Sequence, residues 1–190
     1  MSEISEIANS DRTMGQLVKS DQSVSAVAVK DDTLGKYLTF TVAGEVFGTN
    51  IIYIKEIIEH GRYTRVPLSQ SNIRGVINLR GHVVPVVDLA VRLGFDTQPI
   101  NKRSCIIIVD MEDDGEKIDL GFVVDAVDEV VDVRRSDIEA APGFGLDIRQ
   151  DFLEGMGKLK NSQFVKFLDL EATLSIDELS KISTGGQLDG

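Results

Sequence analysis

The chain has 190 residues, of which 42% are hydrophobic, and it carries a formal net charge of −11 at neutral pH. This content is sufficient for a globular core, whereas the acidic balance argues against a nucleic-acid partner, because phosphate binding needs a surplus of Lys and Arg. No apolar run approaches the ~18 residues that a membrane-spanning helix needs, and Glu3 and Glu6 do not fit a secretory signal, so we expect a cytoplasmic protein. One cysteine and two histidines exclude an intramolecular disulfide and supply too few ligands for an ordinary zinc site.

The first 33 residues differ in composition from the rest of the chain. Residues 1–33 are rich in Ser, Asp and Thr and lack sustained periodicity, which predicts a mostly flexible extension. Within it, Val24 to Val29 alternates apolar with small residues and is a candidate for ordering on a partner. We expect an ordered body over residues 34–184 and a flexible tail over residues 185–190.

The ordered body opens with short β-like runs. Tyr37–Val42 and Glu45–Thr49 are separated by a Gly-containing turn and predict a hairpin. Asn50 predicts the cap of a single helical turn through Lys55, followed by an extended stretch over Glu56–Glu59. One longer helix is the alternative, because short apolar runs do not separate helix from strand.

The next block predicts a second hairpin and a short helix. Ile73–Leu89 contains two apolar runs around Arg80–His82, and the glycine in that turn supplies the positive φ that a tight bend needs. Asp88 predicts the cap of a helix over Leu89–Leu93, which Gly94 closes.

Strands continue through the second half of the chain. Cys105–Met111 and Ile118–Val124 predict a third hairpin across an acidic turn, and Val127–Val133 continues as an extended segment. The cysteine that opens this hairpin is expected to be a buried, inert thiol. Phe152–Lys160 and Gln163–Leu168 predict two further strands joined by a turn.

Helix returns only near the C-terminus in this interpretation. Ser175 and Glu178 have the spacing of a capping box, which predicts a helix that runs to Ser183. Many short strands with few helices predict a mainly β fold made of one or two small β-barrels.

The sequence offers no convincing catalytic group. His60 and His82 fall in or beside predicted turns, and adjacent carboxylates such as Asp113 and Asp114 lie among other charges in a loop. Neither a phosphate-binding glycine loop nor a G-x-S-x-G elbow is present, and Cys105 lies in a predicted buried strand. We therefore expect a protein that is not an enzyme. The rival class, a small β-barrel enzyme or ligand-binding protein, requires a pocket with convergent polar groups.

Arg80 is the most informative single residue. It lies in the predicted turn between two apolar runs, where its guanidinium must find partners. One interpretation is a structural arginine that donates to nearby carbonyls, which the residues alone favour modestly. The other is an arginine that anchors a protein interface, because Arg is enriched at interface hot spots.

Ile73–Gly81 followed by Val84–Leu89 resembles the central signature of the CheW family almost without interruption. Supporting matches lie at Phe47–Gly48, Arg65–Pro67 and Gly121–Val127, and the resemblance extends over about 35–183. It implies two packed SH3-like five-stranded β-barrel subdomains with short helices, a C-terminal helix and a shared apolar interior. The long N-terminal extension departs from the usual pattern of the family.

The resemblance also implies a function. CheW proteins are non-enzymatic adaptors, without cofactor or metal, that couple the cytoplasmic tip of methyl-accepting chemoreceptors to the regulatory domain of the histidine kinase CheA in membrane-associated signalling arrays. The alternative within the family is a scaffold of a chemosensory pathway that does not control flagella.

The resemblance further implies a set of partner-binding residues. For three of them, Ile54, Val127 and Val130, ordinary packing in the barrel core is at least as good an explanation. The glycines of the set serve equally well as backbone-geometry positions, where a bulky substitution would reduce binding indirectly. The predicted receptor- and kinase-binding residues are Ile54, Glu56, Gly75, Arg80, Gly81, Gly121, Val127 and Val130.

Overall fold

The computed structural model describes residues 32–59, 61, 63–65, 71–113, 115–143, 145–175 and 179. Three predicted segments lie outside the described residues. They are the extension except for its last two residues, most of the helix predicted from Ser175, and the tail over 185–190. The described elements are β1 (Leu34–Val42), β2 (Glu45–Asn50), β3 (Ile54–Glu59), β4 (Ile73–Leu79), β5 (His82–Asp88), α1 (Leu89–Arg92), β6 (Cys105–Asp113), β7 (Glu116–Val124), β8 (Ala126–Arg134), β9 (Leu153–Lys158), β10 (Phe164–Leu168) and α2 (Leu170–Thr173).

The strands form two five-stranded sheets, which confirms the mainly β fold class. The first sheet has the order β8-β1-β2-β10-β9 and the second has the order β3-β6-β7-β5-β4. The predicted hairpins are present as the antiparallel pairs β1–β2, β4–β5, β6–β7 and β9–β10. These pairings leave β8 and β9 at the edges of one sheet and β3 and β4 at the edges of the other, so closure of each sheet into a barrel stays a prediction.

The segment after β2 differs in detail from the sequence prediction. Asn50 caps a short 3-10 turn over Ile51–Tyr53, and its Oδ1 accepts a hydrogen bond of 3.1 Å from the Ile52 N–H. Strand β3 then begins at Ile54, earlier than predicted, so the helical turn does not extend through Lys55. The alternative of one longer helix is wrong, because this stretch pairs with β6 in the sheet.

The helices α1 and α2 each begin at a capping aspartate. Asp88 accepts from the Val91 N–H at 3.2 Å, as predicted, and Asp169 accepts in the same way from the Ala172 N–H at 3.0 Å. The sequence prediction misses the second helix, α2, because it places helix only from Ser175. A β-like run followed by an aspartate is the signal for this helix, and the same signal at Asp88 correctly predicts α1.

The burial of Cys105 also differs from the sequence prediction. The cysteine lies in β6 as predicted, but its side chain is only partly buried. Partial burial nevertheless raises the pKa of its thiol, chiefly through desolvation, and this outweighs the opposing effect of a hydrogen bond from the Val127 backbone.

The largest apolar cluster lies between the two sheets. Phe40 and Phe47 enter it from the first sheet and Ile107 and Phe122 from the second, and all four are fully buried. The Phe40 and Phe122 ring centroids lie 5.8 Å apart across this interface. Each sheet also encloses a smaller cluster of its own. The apolar interior expected to be shared by the two subdomains is therefore present.

The chain is built from two copies of one topological unit. The hairpin β1–β2 of the first sheet corresponds to the hairpin β6–β7 of the second. In the same way, β8, β9 and β10 of the first sheet correspond to β3, β4 and β5 of the second. Each unit of five consecutive strands therefore gives its hairpin to one sheet and its last three strands to the other. The two sheets are intertwined, so neither can form without the other half of the chain.

The register of the edge strands shows the same correspondence residue by residue. Ile54 to Ile57 of β3 opposes Val109 to Ile107 of β6, with one extra residue bulged on β3. Val127 to Val130 of β8 opposes Phe40 to Leu38 of β1, again with one extra residue on the edge strand. The segment 54–57 is thus the structural counterpart of the segment 127–130.

Candidate partner-binding surface

Arg80 and Gly81 form the two-residue turn between β4 and β5. Their φ angles are 53° and 89°, so both lie in the left-handed region, as a tight hairpin turn of the I′ type requires. The Gly81 N–H donates a hydrogen bond of 2.9 Å to Oδ1 of Asn78. The turn therefore holds Arg80 on a short, well-defined hairpin even though left-handed φ is unfavourable for a residue with a Cβ.

The Arg80 side chain forms an ion pair with Glu56. Its Nη2 lies 2.9 Å from Oε2 of Glu56, and the two side chains are 75% and 28% exposed. The pair joins the hairpin at one edge of the second sheet to β3 at the other edge, so the sheet is curved enough to bring these two side chains together. An exposed pair contributes at most about 1 kcal/mol to stability, which leaves the guanidinium free to act in recognition.

Gly75 and Gly121 serve the backbone. A Cβ on Gly75 would lie 2.4 Å from the backbone oxygen of Thr64, and Thr64 exchanges two 2.9 Å backbone hydrogen bonds with Val76. A Cβ on buried Gly121 would meet Ile106 at 3.0 Å. These two glycines shape the sheet that carries Arg80 and present no side chain to a partner.

The apolar members of the predicted set fall into two groups. Ile54 and Val127 are partly buried and pack against the shared core from β3 and β8. Val130 is 53% exposed, so ordinary core packing does not account for it. Ile57, its counterpart on β3, is 42% exposed and is missed by the sequence prediction. The signal for it is the matching spacing of Ile54 to Ile57 and of Val127 to Val130.

The chemistry expected of an enzyme does not converge in the described part of the chain. There, no three His, Cys, Asp or Glu side chains are grouped so that they could hold a metal ion. His82 is exposed on β5, and His60 lies outside the described residues. Burial raises the pKa of the Tyr37 and Tyr53 phenols, which favours their neutral forms and supplies no base.

The interior of the second sheet counts against the rival enzyme or ligand-binding class. It is filled by buried Ile and Val side chains from β4, β5, β6 and β7. In that same part of the chain, no helix is long and apolar enough to cross a membrane. What the described surface offers is an exposed arginine on a fixed turn and apolar side chains on two matched edge strands.

Comparison with known proteins agrees with this arrangement. The CheW-like domain family model matches residues 36–178. The chain is 30% identical over 152 residues to a chemotaxis protein CheW of Klebsiella aerogenes, covering 80% of this chain and 89% of that protein. It is 38% identical over 107 residues to the Bacillus subtilis chemotaxis protein CheW, covering 56% and 66%. The crystal structure of the scaffolding protein TtCheW from Thermoanaerobacter tengcongensis superposes with a TM-score of 0.64 at 33% identity and covers 73% of this chain and 86% of that one. The chain therefore belongs to the family of CheW-like domain proteins.

Proposed function

We propose that this protein is a non-enzymatic chemotaxis adaptor that couples chemoreceptors to the histidine kinase CheA. The observation that carries the proposal is Arg80, which stands exposed on the turn of the family signature while its Glu56 partner fixes its direction. Membership of a family whose named relatives are chemotaxis proteins supports the pathway. The protein would act in the cytoplasm and be recruited to receptor arrays at the membrane.

The receptor-facing surface is proposed to run along β3 and β8. Ile57 and Val130 present apolar side chains at corresponding positions of the two strands, and Ile54 and Val127 support them from the shared core. An amphipathic helix can bury apolar residues on such a surface. Because the two strands are related by the internal repeat, the surface fits a partner that presents two similar helices in opposite directions, such as the tip of an antiparallel coiled coil.

Arg80 and Glu56 are proposed to set the orientation of that partner. Both groups stand on the second sheet, so they mark one end of an otherwise pseudo-symmetric surface. The counterparts on the first sheet are Lys160, in the β9–β10 turn, and Glu129, on β8, and within the described residues they form no ion pair. This asymmetry provides the means to distinguish two antiparallel helices, since an arginine fork binds carboxylates and carbonyls bidentately and a lysine does not.

The proposal is tested by sedimentation of the purified protein with receptor-containing membranes, with and without CheA. The adaptor function requires that the protein bind the membranes, increase the amount of CheA that sediments with them and raise CheA autophosphorylation. If the protein binds neither partner when cognate receptors and CheA are supplied, the family fold serves another purpose here. The same sedimentation with receptors from a chemosensory pathway that does not control flagella tests the alternative scaffold function. Binding to those receptors alone would favour the alternative.

A further inference from the structure

A cavity of about 830 Å³ lies at the end of the β4–β5 hairpin that is opposite the Arg80 turn. It is lined by Arg74 near the start of β4, by Asp88 at the end of β5 and by Thr97 from the loop after α1. Sites for small ligands usually have volumes of a few hundred to about 1,000 Å³, so this cavity is large enough for one. The proposed adaptor surface along β3 and β8 does not include it.

Arg74 is a largely buried cation with unused hydrogen-bond donors. Its side chain is 10% exposed, and its Nε donates a hydrogen bond of 2.8 Å to Oδ2 of Asp88. Its Nη2 donates to Oγ1 of Thr97 and to the Gln98 oxygen, each at 2.8 Å. A guanidinium has five N–H groups, and the two on Nη1 have no acceptor among the described residues. Because Arg74 lines the cavity and Nη1 is not sealed from solvent, a ligand can accept from these two groups.

The carboxylate of Asp88 is already neutralised within the protein. Its Oδ2 accepts from Arg74 and, at 2.5 Å, from the Thr97 hydroxyl, while its Oδ1 accepts from the Val91 N–H. The Asp88 side chain is only 4% exposed. This carboxylate therefore holds Arg74 in place and is not available as a site for a cation.

A second arginine lines the same cavity. Arg65 is exposed and, among the described residues, its guanidinium forms no ion pair. The opposing charge is Asp96, an exposed carboxylate that also lines the cavity. The cavity thus combines two arginines that have unused donors with one free carboxylate. This balance suits a ligand with one negative charge better than a dianion such as phosphate, which Asp96 would repel more strongly.

Val91, Phe95 and Pro99 give the cavity an apolar wall. We propose that the cavity binds a carboxylate carried on an apolar group, held by Nη1 of Arg74 and by the guanidinium of Arg65. An arginine matches the planar carboxylate in geometry and charge, and the apolar group packs against Phe95. A free organic acid and the C-terminal residue of a peptide share this chemistry. The site is independent of the adaptor function, because its test measures binding in solution without receptor or kinase.

NMR titration of the intact, isotope-labelled protein tests the site. The Arg74 Nε–H signal and the Thr97 amide signal are expected to shift saturably with N-acetylphenylalanine or with phenylacetate. Tighter binding of N-acetylphenylalanine would identify a peptide C-terminus as the ligand class, whereas equal or tighter binding of phenylacetate would identify a free acid. N-acetylphenylalaninamide, which keeps the ring and lacks the carboxylate, should cause no such shift. The absence of a saturable shift with both acids, equal binding of the amide, or tighter binding of inorganic phosphate would overturn the proposal.

Two variants that leave the buried pair of Arg74 and Asp88 intact test the charges separately from the fold. Arg65→Gln should weaken binding of the acids about tenfold or more, the usual effect of losing a hydrogen bond between charged groups. Asp96→Asn should strengthen binding severalfold, because it removes the like charge from the cavity. Lys160→Gln is the matched control, since it removes an exposed cation outside the cavity, and it should leave binding unchanged. An unchanged affinity in Arg65→Gln, or an equal loss in Lys160→Gln, would contradict the specific site.

Discussion

Arg80 and Glu56 join opposite edges of one five-stranded sheet through an ion pair of 2.9 Å. The contact follows from the curvature of the sheet, because strands β4 and β3 are separated by three other strands in its hydrogen-bonded order. The exposed arginine is therefore carried by a two-residue turn at one edge and oriented by a carboxylate from the other. This arrangement orients the guanidinium that we propose as a recognition group without burying it.

Arg80→Glu is expected to weaken receptor coupling by about 2 kcal/mol or more, as loss of an interface arginine typically does. It reverses the charge of the turn and places two carboxylates near each other at Glu56. Stability should fall by no more than about 1 kcal/mol, because the pair is exposed. Co-sedimentation and thermal melting together check this. Lys160→Glu, the same change in the corresponding turn of the other sheet, should leave coupling intact. An Arg80→Glu protein that melts far below wild type would show that the arginine is structural.

Ile57→Asp and Val130→Asp should each reduce receptor attachment by about 2 kcal/mol, because each places a charge on the apolar surface where a helix is proposed to dock. Both side chains are already partly exposed, so the folded state should tolerate the changes. Co-sedimentation with receptor-containing membranes measures the attachment. Ile100→Asp, at a similarly exposed position outside this surface, is the control. If one of the two variants binds normally, the surface does not extend over both edge strands.

Gly75→Ala should lower the free energy of unfolding by about 3 kcal/mol or more, since steric strain at a constrained backbone position belongs to the larger mutational effects. The added Cβ would meet the Thr64 oxygen at 2.4 Å and displace the backbone hydrogen bonds between Thr64 and Val76. Urea unfolding measures the loss. Gly61→Ala, where nothing lies within 4 Å of the added Cβ, should change stability by less than about 0.5 kcal/mol. Equal effects at the two positions would contradict the steric argument.

Arg74→Met is expected to cost about 3 kcal/mol of stability, because it leaves a buried carboxylate without its cation. Nε of Arg74 lies 2.8 Å from Asp88, in a largely buried pair, and Nη2 also donates to Thr97 and to the Gln98 oxygen. Lys36→Met, which removes the exposed pair with Asp132, should cost at most about 1 kcal/mol. Chemical denaturation of the two variants compares them, and a larger loss for Lys36→Met would refute the ranking by burial.

Alkylation of Cys105 should show its midpoint at a higher pH than that of an unfolded peptide, because burial raises the thiol pKa in the folded protein. The folded state therefore favours the neutral thiol. Its contribution to stability is complete below the unfolded pKa and is lost as the pH rises toward the folded one. The rate of iodoacetamide modification against pH measures the shift. A midpoint at or below the peptide value would show that the hydrogen bond from Val127 outweighs desolvation.

Much of the architecture can be predicted from the sequence because hairpins and helix caps depend on local chemistry. Alternating apolar runs predict the strands, and Asp88 predicts the start of α1 because its carboxylate can accept from an amide of the first turn. The exposed turn at Arg80 and Gly81 follows equally from a glycine between two strand-like runs. The sequence prediction misses α2, a helix of four residues, although the same capping signal is present at Asp169.

The local elements, the mainly β class and a proposed set of partner-binding residues can therefore be predicted without tertiary information. The crossing of the last three strands of each repeat to the other sheet is visible only in the folded protein, because pairing between distant strands depends on packing around the shared core and leaves no local signal. The same packing decided that Ile57 and Val130 are exposed while Ile54 and Val127 are covered, since all four are apolar residues on edge strands. It also brought Glu56 to Arg80, 24 positions apart in sequence, by curving a sheet whose edges no short-range pattern could connect.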